Sequence, residues 1–184
     1  MTKKVLALAL FVILAFALVW AGTPAKTGMT GNAQMEQMKT EAMKCAVCKN
    51  MAMHMDEIGP MGFEAVQLND GMAMRHWVKS SDPKKLAAFH AASDATSQAG
   101  EACVTMTDEQ AKTDLCPLCQ DTRSAMKAGA HMSKGMTKNG CMMVLTSSDP
   151  AVQAQLTALQ QKCVMMAASM DMPMEKTTAE KKKY

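Results

Sequence analysis

Gly62-Phe63-Glu64-Ala65-Val66-Gln67-Leu68-Asn69-Asp70-Gly71 opens a stretch that closes on Ser80-Ser81-Asp82-Pro83. Sixty-seven residues further on, Gly129 to Pro150 closes on the same tetrapeptide, Ser147-Ser148-Asp149-Pro150. The two 22-residue runs superpose without a gap. A Cys-x-x-Cys stands upstream of each run, Cys45/Cys48 and Cys116/Cys119, and a similar tetrapeptide stands downstream, Cys103-Val104-Thr105-Met106 and Cys163-Val164-Met165-Met166. Landmarks that recur in one order are the mark of an internal duplication.

Each copy predicts its own elements. Asp82-Pro83 and Asp149-Pro150 are helix starts, with Asp as N-cap and Pro at the first helical position, where a missing N–H costs nothing. The second helix is expected to bury Val152, Leu156 and Leu159, and the first Leu86, Ala87 and Phe89. A hairpin precedes each helix. Asp70-Gly71 and Asn139-Gly140 are expected to supply the positive φ of a tight turn. The Cys-Val-x-Met segments are expected to be short closing strands. Thr107-Asp108-Glu109-Gln110 forms a capping box expected to open the helix that carries the second Cys-x-x-Cys, and Gly129 follows that helix. The expected fold is α+β: tandem ββαβ modules over 35–106 and 107–169, each preceded by a helical Cys-x-x-Cys segment.

The composition limits function. The 184 residues are 48% apolar but only 4% aromatic, with 22 Met and seven Cys. Lys3-Lys4 precede an unbroken apolar run, Val5 to Ala21, which predicts a signal peptide over 1–21, with an uncleaved N-terminal anchor as the alternative. Without it, 18 basic residues face 17 acidic ones. That balance argues against nucleic acid as partner. No later segment is apolar enough to span a bilayer, so no membrane contact is expected beyond the signal segment. A periplasmic or secreted location follows, where disulfides are allowed. Residues 22–34 are expected to be a flexible leader and 170–184 a disordered Met/Lys-rich tail.

Lys44-Cys45-Ala46-Val47-Cys48-Lys49-Asn50-Met51, followed by Phe63 to Gly71 and by Asp82-Pro83-Lys84-Lys85-Leu86-Ala87-Ala88-Phe89, resembles the NosL family. These are periplasmic copper-binding accessory proteins of nitrous-oxide reductase assembly. Their pattern is Cys-Pro-x-Cys-Gly-Met, a hairpin with an Asp-Gly turn, then a helix. The resemblance implies paired ββαβ modules, a fold shared distantly with organomercurial lyase, and Cu(I) binding. It runs through the first copy; the second matches by way of the repeat. Lys49-Asn50-Met51 departs from Gly-Met, Gln120-Asp121 follows Cys119, and the lipoprotein cysteine is missing.

Soft Cu(I) is selected by thiolate and thioether sulfur. Thioethers need no deprotonation and cannot be lost to a disulfide. Met51-Ala52-Met53-His54-Met55 sets four soft donors in five residues, and Met170-Asp171-Met172-Pro173-Met174 is a second cluster. On the strand after each turn, Met74 and His76 superpose on Cys141 and Met143. His131 stands beside Met132. Each group has a plainer reading: methionine fills core gaps well, and His90 on a helix is more simply structural.

Two cysteines three apart share a helix face, so Cys45/Cys48 and Cys116/Cys119 each suit a soft metal, with Cys103 and Cys163 as third thiols. Six matched cysteines in an exported protein are equally a disulfide framework, with Cys141 as the odd one. Zinc is the second candidate metal, although pairs 71 residues apart are a loose fit to a zinc ribbon. No catalytic constellation and no organic cofactor motif stands out, so no enzyme activity is expected. The functional expectation is an exported Cu(I)-binding metallochaperone, buffer or sensor that exchanges metal with a partner protein. The alternative is a disulfide-stapled structural or interaction protein with a Met-rich core.

Overall fold

A computed structural model describes residues 31–169, with side chains over 36–168. The signal segment, the leader through residue 30 and Met170, Met172 and Met174 lie outside the described residues. The architecture is α+β. Strands β1 (Met61–Leu68), β2 (Gly71–Val78), β3 (His131–Thr137) and β4 (Gly140–Thr146) form one antiparallel sheet in the order β1-β2-β4-β3. The helices are α1 (Gly31–Lys44), α2 (Lys49–Ala52), α3 (Met55–Ile58), α4 (Pro83–Cys103), α5 (Asp108–Asp114), α6 (Pro117–Lys127) and α7 (Pro150–Ser169).

The two hairpins join along β2 and β4, with Met74 opposite Met143 and His76 opposite Cys141. Gly71 and Gly140 open these strands. A Cβ on Gly71 would lie 1.9 Å from the Leu145 carbonyl oxygen, and one on Gly140 would lie 2.3 Å from that of His76. Neither glycine has positive φ, which among the described glycines belongs to Gly59 and Gly129. The turn glycines are therefore required by close approach between hairpins, not by the turn dihedrals expected of them. Gly71 and Gly140 are 69 residues apart, whereas the N-caps Asp82 and Asp149 are 67 apart. The gapless superposition thus holds for the helix starts and fails for the hairpins. At hairpin spacing Met74 matches Met143, which replaces the expected exchange of Met74 for Cys141 and of His76 for Met143.

Both helix starts form as expected. Asp82 Oδ1 accepts from Lys84 N at 2.9 Å and Asp149 Oδ1 from Ala151 N at 2.7 Å. The closing strands do not form. Cys103 ends α4 and is followed by a turn, while Cys163 to Met166 lie inside α7. The physical reason is periodicity: Val152, Leu156, Leu159, Cys163 and Ala167 are all buried at helical spacing, so Cys163 belongs to the helix's own apolar face.

That face packs on Phe63, Met72, Met74 and Leu145, which share one side of the sheet. Phe89 and Ala92 of α4 join Ile58 and Val78 in a neighbouring cluster, with Leu86 and Ala88 against it. Ala87, expected to be core, is exposed. The 21 residues of α4 extend about 30 Å. Its first half covers the sheet, and its far end, at Ala99 and Cys103, walls a third cluster built around cysteine.

Replacing Gly71 or Gly140 by Ala forces the two hairpins apart. Each change is expected to cost about 1–3 kcal/mol in urea unfolding. Gly135→Ala, at a position with nothing within 4 Å of the new methyl, is expected to leave the midpoint in place.

Candidate metal centre

The first cysteine pair sits in the turn between α1 and α2. Lys49 N donates to Cys45 O and Ala52 N to Cys48 O, both at 3.0 Å, so the segment is a tight turn passing into a short helix. The second pair sits at a helix start. Pro117 disfavours the α region for the residue before it, and Cys116 is extended at φ −67°, ψ 160°. The chain therefore breaks after α5 and begins α6 afresh, with Cys116 as N-cap. The Thr107–Gln110 capping box is formed, but it opens α5 and not the cysteine-bearing helix. Of the four cysteines expected on helical segments, Cys119 lies within α6, while Cys48 and Cys116 are N-caps and Cys45 follows the end of α1. Ala46 N donates to Asp114 O at 2.8 Å and ties the two segments together.

Folding brings both pairs to one point. The sulfurs of Cys45, Cys48, Cys116 and Cys119 all lie within 4.8 Å of one another. Cys48 Sγ is 3.5 Å from Cys119 Sγ and 3.8 Å from Cys116 Sγ. Four thiolates about 2.3 Å from a tetrahedral ion stand about 3.8 Å apart, so these sulfurs fit one such ion with small adjustments. Cys45 is buried and the other three are half-buried.

The four thiols titrate as a set. Hydrogen bonding from Cys116, Cys119 and Cys48 holds the Cys45 thiol far below its ordinary value. Hydrogen bonding from Cys119 brings Cys116 down to about 7. Cys48 is pushed up, chiefly by Cys116, and Cys119 by Cys116, Cys45 and Cys48. The opposed shifts share one cause, thiols close enough to hold one another's protons. A cation among them would offset the repulsion between thiolates and favour their deprotonation.

Sequence reasoning missed Arg123, which lies one turn beyond Cys119 on α6. Its guanidinium is buried. Nε donates to Cys103 O at 2.9 Å, Nη1 to Asp108 Oδ1 at 2.9 Å, and Nη2 to Met106 O. It closes the α4–α5 connection onto the helix that carries the second cysteine pair. Lys127 and Arg123 together hold the Asp108 carboxyl below its usual range.

The other expected donors lie elsewhere. Cys103 packs in the cysteine cluster, but its thiol donates to Gly100 O of its own helix at 3.0 Å, and burial raises its pKa. Cys163 lies in the main core, so the third thiols of the two copies are not equivalent. Met51 packs near Ile58 and Phe89, Met53 is 54% exposed, His54 faces Glu57 at 3.4 Å, and Met55 opens α3. Met74 is buried, Cys141 packs near Phe89, and His131 is exposed at the start of β3. His76 stacks edge-on against Phe63 with ring centres 4.8 Å apart, and burial lowers its pKa to about 4.

No protein-family model matches the chain, and no curated protein or solved structure does. The likeness to NosL rests on the quoted residues alone.

Two measurements check this geometry. Proton NMR of the His76 ring is expected to show a midpoint near 4, well under the ordinary value of about 6.5. Arg123→Ala leaves the Cys103 and Met106 carbonyls without their donor and is expected to destabilise the protein by about 2–3 kcal/mol. Arg123→Lys, which cannot reproduce the planar fork, restores little of that.

Proposed function

We propose that the chain is an exported metal-binding protein whose Cys45, Cys48, Cys116 and Cys119 hold one thiophilic divalent ion, zinc before others, and exchange it with a partner. The observation that carries this is the convergence of four thiol sulfurs within 4.8 Å. A tetrahedral all-sulfur donor set selects zinc or iron. Four thiolates also balance a divalent charge better than a monovalent one. Exchange is supported by exposure: Cys48, Cys116 and Cys119 are only half-buried. Copper delivery, the role suggested by the NosL likeness, draws support from the soft-donor content of the chain and not from the shape of this site.

The bound ion would also act as core. The cluster around the sulfurs has few large apolar members, with Val47 and Leu115 the largest fully buried ones. In small lobes of this kind the free energy of metal binding is free energy of folding.

Native mass spectrometry of the full chain, purified anaerobically and reduced, is expected to show one zinc per molecule. Cys48→Ser is expected to weaken binding roughly 100-fold or more, since loss of even an outer partner costs 10–100-fold. Chelation is expected to lower the melting temperature. A metal-free protein carrying a Cys48–Cys119 or Cys48–Cys116 disulfide overturns the reading and favours the stapled structural alternative.

A further inference from the structure

We propose a second, chemically distinct site in the main core: a monovalent soft-metal site made by the Cys163 thiolate and the thioethers of Met74 and Met143. It stands independently of the four-cysteine centre. Cys163 and Met74 are both buried, and the Cys163 thiol donates to Met74 Sδ at 3.5 Å. That spacing equals the one between Cys48 and Cys119 in the cysteine centre. Met143 is the partner of Met74 across β2 and β4 and packs against the same core. Directly opposed residues of an antiparallel pair have Cβ atoms about 4.5–5.5 Å apart, within reach of two thioether arms. Two sulfurs are thus already in contact, and the Met143 side chain starts from the same sheet face beside them, where its thioether can complete a trigonal set.

Charge decides which ion. One thiolate and two neutral thioethers supply a single negative charge. A monovalent ion makes the site neutral inside a shell of Phe63, Leu156 and Leu159. A divalent ion would leave a net positive charge in that apolar shell, which burial penalises heavily. The carboxylate nearest in effect, Asp121, is already paired with Lys162 at 2.6 Å. Thiolate and thioether sulfur select Cu(I) over harder ions. On binding, the Cys163 S–H bond breaks, its proton passes to solvent, and a metal–sulfur bond takes its place with no change in oxidation state. Met143 is half-buried and gives the ion its route from the surface.

The test uses zinc-loaded full-length protein carrying 13C-methyl methionine, titrated anaerobically with Cu(I) while a chromophoric chelator reports free zinc. The first equivalent is expected to shift the Met74 and Met143 methyl resonances while zinc stays bound. Cys163→Ser is expected to abolish that shift. Met74→Leu, which conserves volume and so keeps the fold, is expected to weaken uptake by roughly 10–100-fold, the range seen for loss of lesser partners. Unmoved Met74 and Met143 methyls overturn the proposal, and so does Cu(I) uptake matched one for one by zinc release. Protein isolated without zinc defeats the assignment of the cysteine centre alone; the methyl shifts still decide this one.

Discussion

Four sulfur atoms forced into one small volume are the constraint on which half of this molecule rests. As thiolates they repel, and as thiols they offer each other only weak hydrogen bonds. The residues around them are mostly small, Ala46, Ala99 and Ala111 among them, so the lobe lacks the apolar bulk that stabilises the sheet side. A bound ion would satisfy both shortages at once, by cancelling charge and by tying four separate points of backbone. The long α4 bridges the two lobes: Phe89 and Ala92 in its first half pack against the sheet cluster, and its far end, at Ala99 and Cys103, packs in the cysteine cluster. Arg123 and the Ala46–Asp114 bond complete the enclosure with hydrogen bonds to backbone carbonyls.

Much of the fold was legible because its signals are local. Asp-Pro pairs start helices, a Thr-x-x-Gln box starts another, and turn pairs make hairpins; each depends on neighbours in sequence. The break before α6 was legible in principle, since Pro117 disfavours the helical region for its predecessor, but the capping box upstream is an equally local helix start and belongs to the short α5. The closing strands failed because Cys-Val-x-Met has strand character over four residues while α7 has helical burial over five positions, and the longer pattern wins. The role of Gly71 and Gly140 was not legible at all. Their carbonyl neighbours belong to the other hairpin, and only the assembled sheet brings them near.

The site divides along the same line. Each Cys-x-x-Cys was visible as a pair, and its residues are the ones that converge. That the two pairs meet is a tertiary fact, since their spacing matches no compact zinc motif. The methionine run from Met51 to Met55 shows the reverse relation. Adjacency in sequence suggested one site, but α2 and α3 turn Met51 toward the core and Met53 to solvent. Arg123 gave no signal because a single Arg in a helix is ordinary; its importance lies in two carbonyls contributed by the α4–α5 connection.

Methionine abundance therefore has a divided explanation. Met72 and Met74 lie fully inside, where leucine would pack as well and where aromatic side chains are scarce. Met132 and Met143 flank the same core from half-buried positions. A flexible thioether can serve both tasks at one position, filling an irregular gap when no ion is present and offering a neutral donor when one is. A thiol does so only by losing its proton as the ion arrives, because a free thiolate brings a charge that an apolar interior resists. That difference separates the two sulfur populations of this chain. The clustered thiols sit at the ends of helices and partly at the surface, where charge is tolerated, and Met72, Met74, Met132 and Met143 surround the buried thiol of Cys163 on the sheet's inner face.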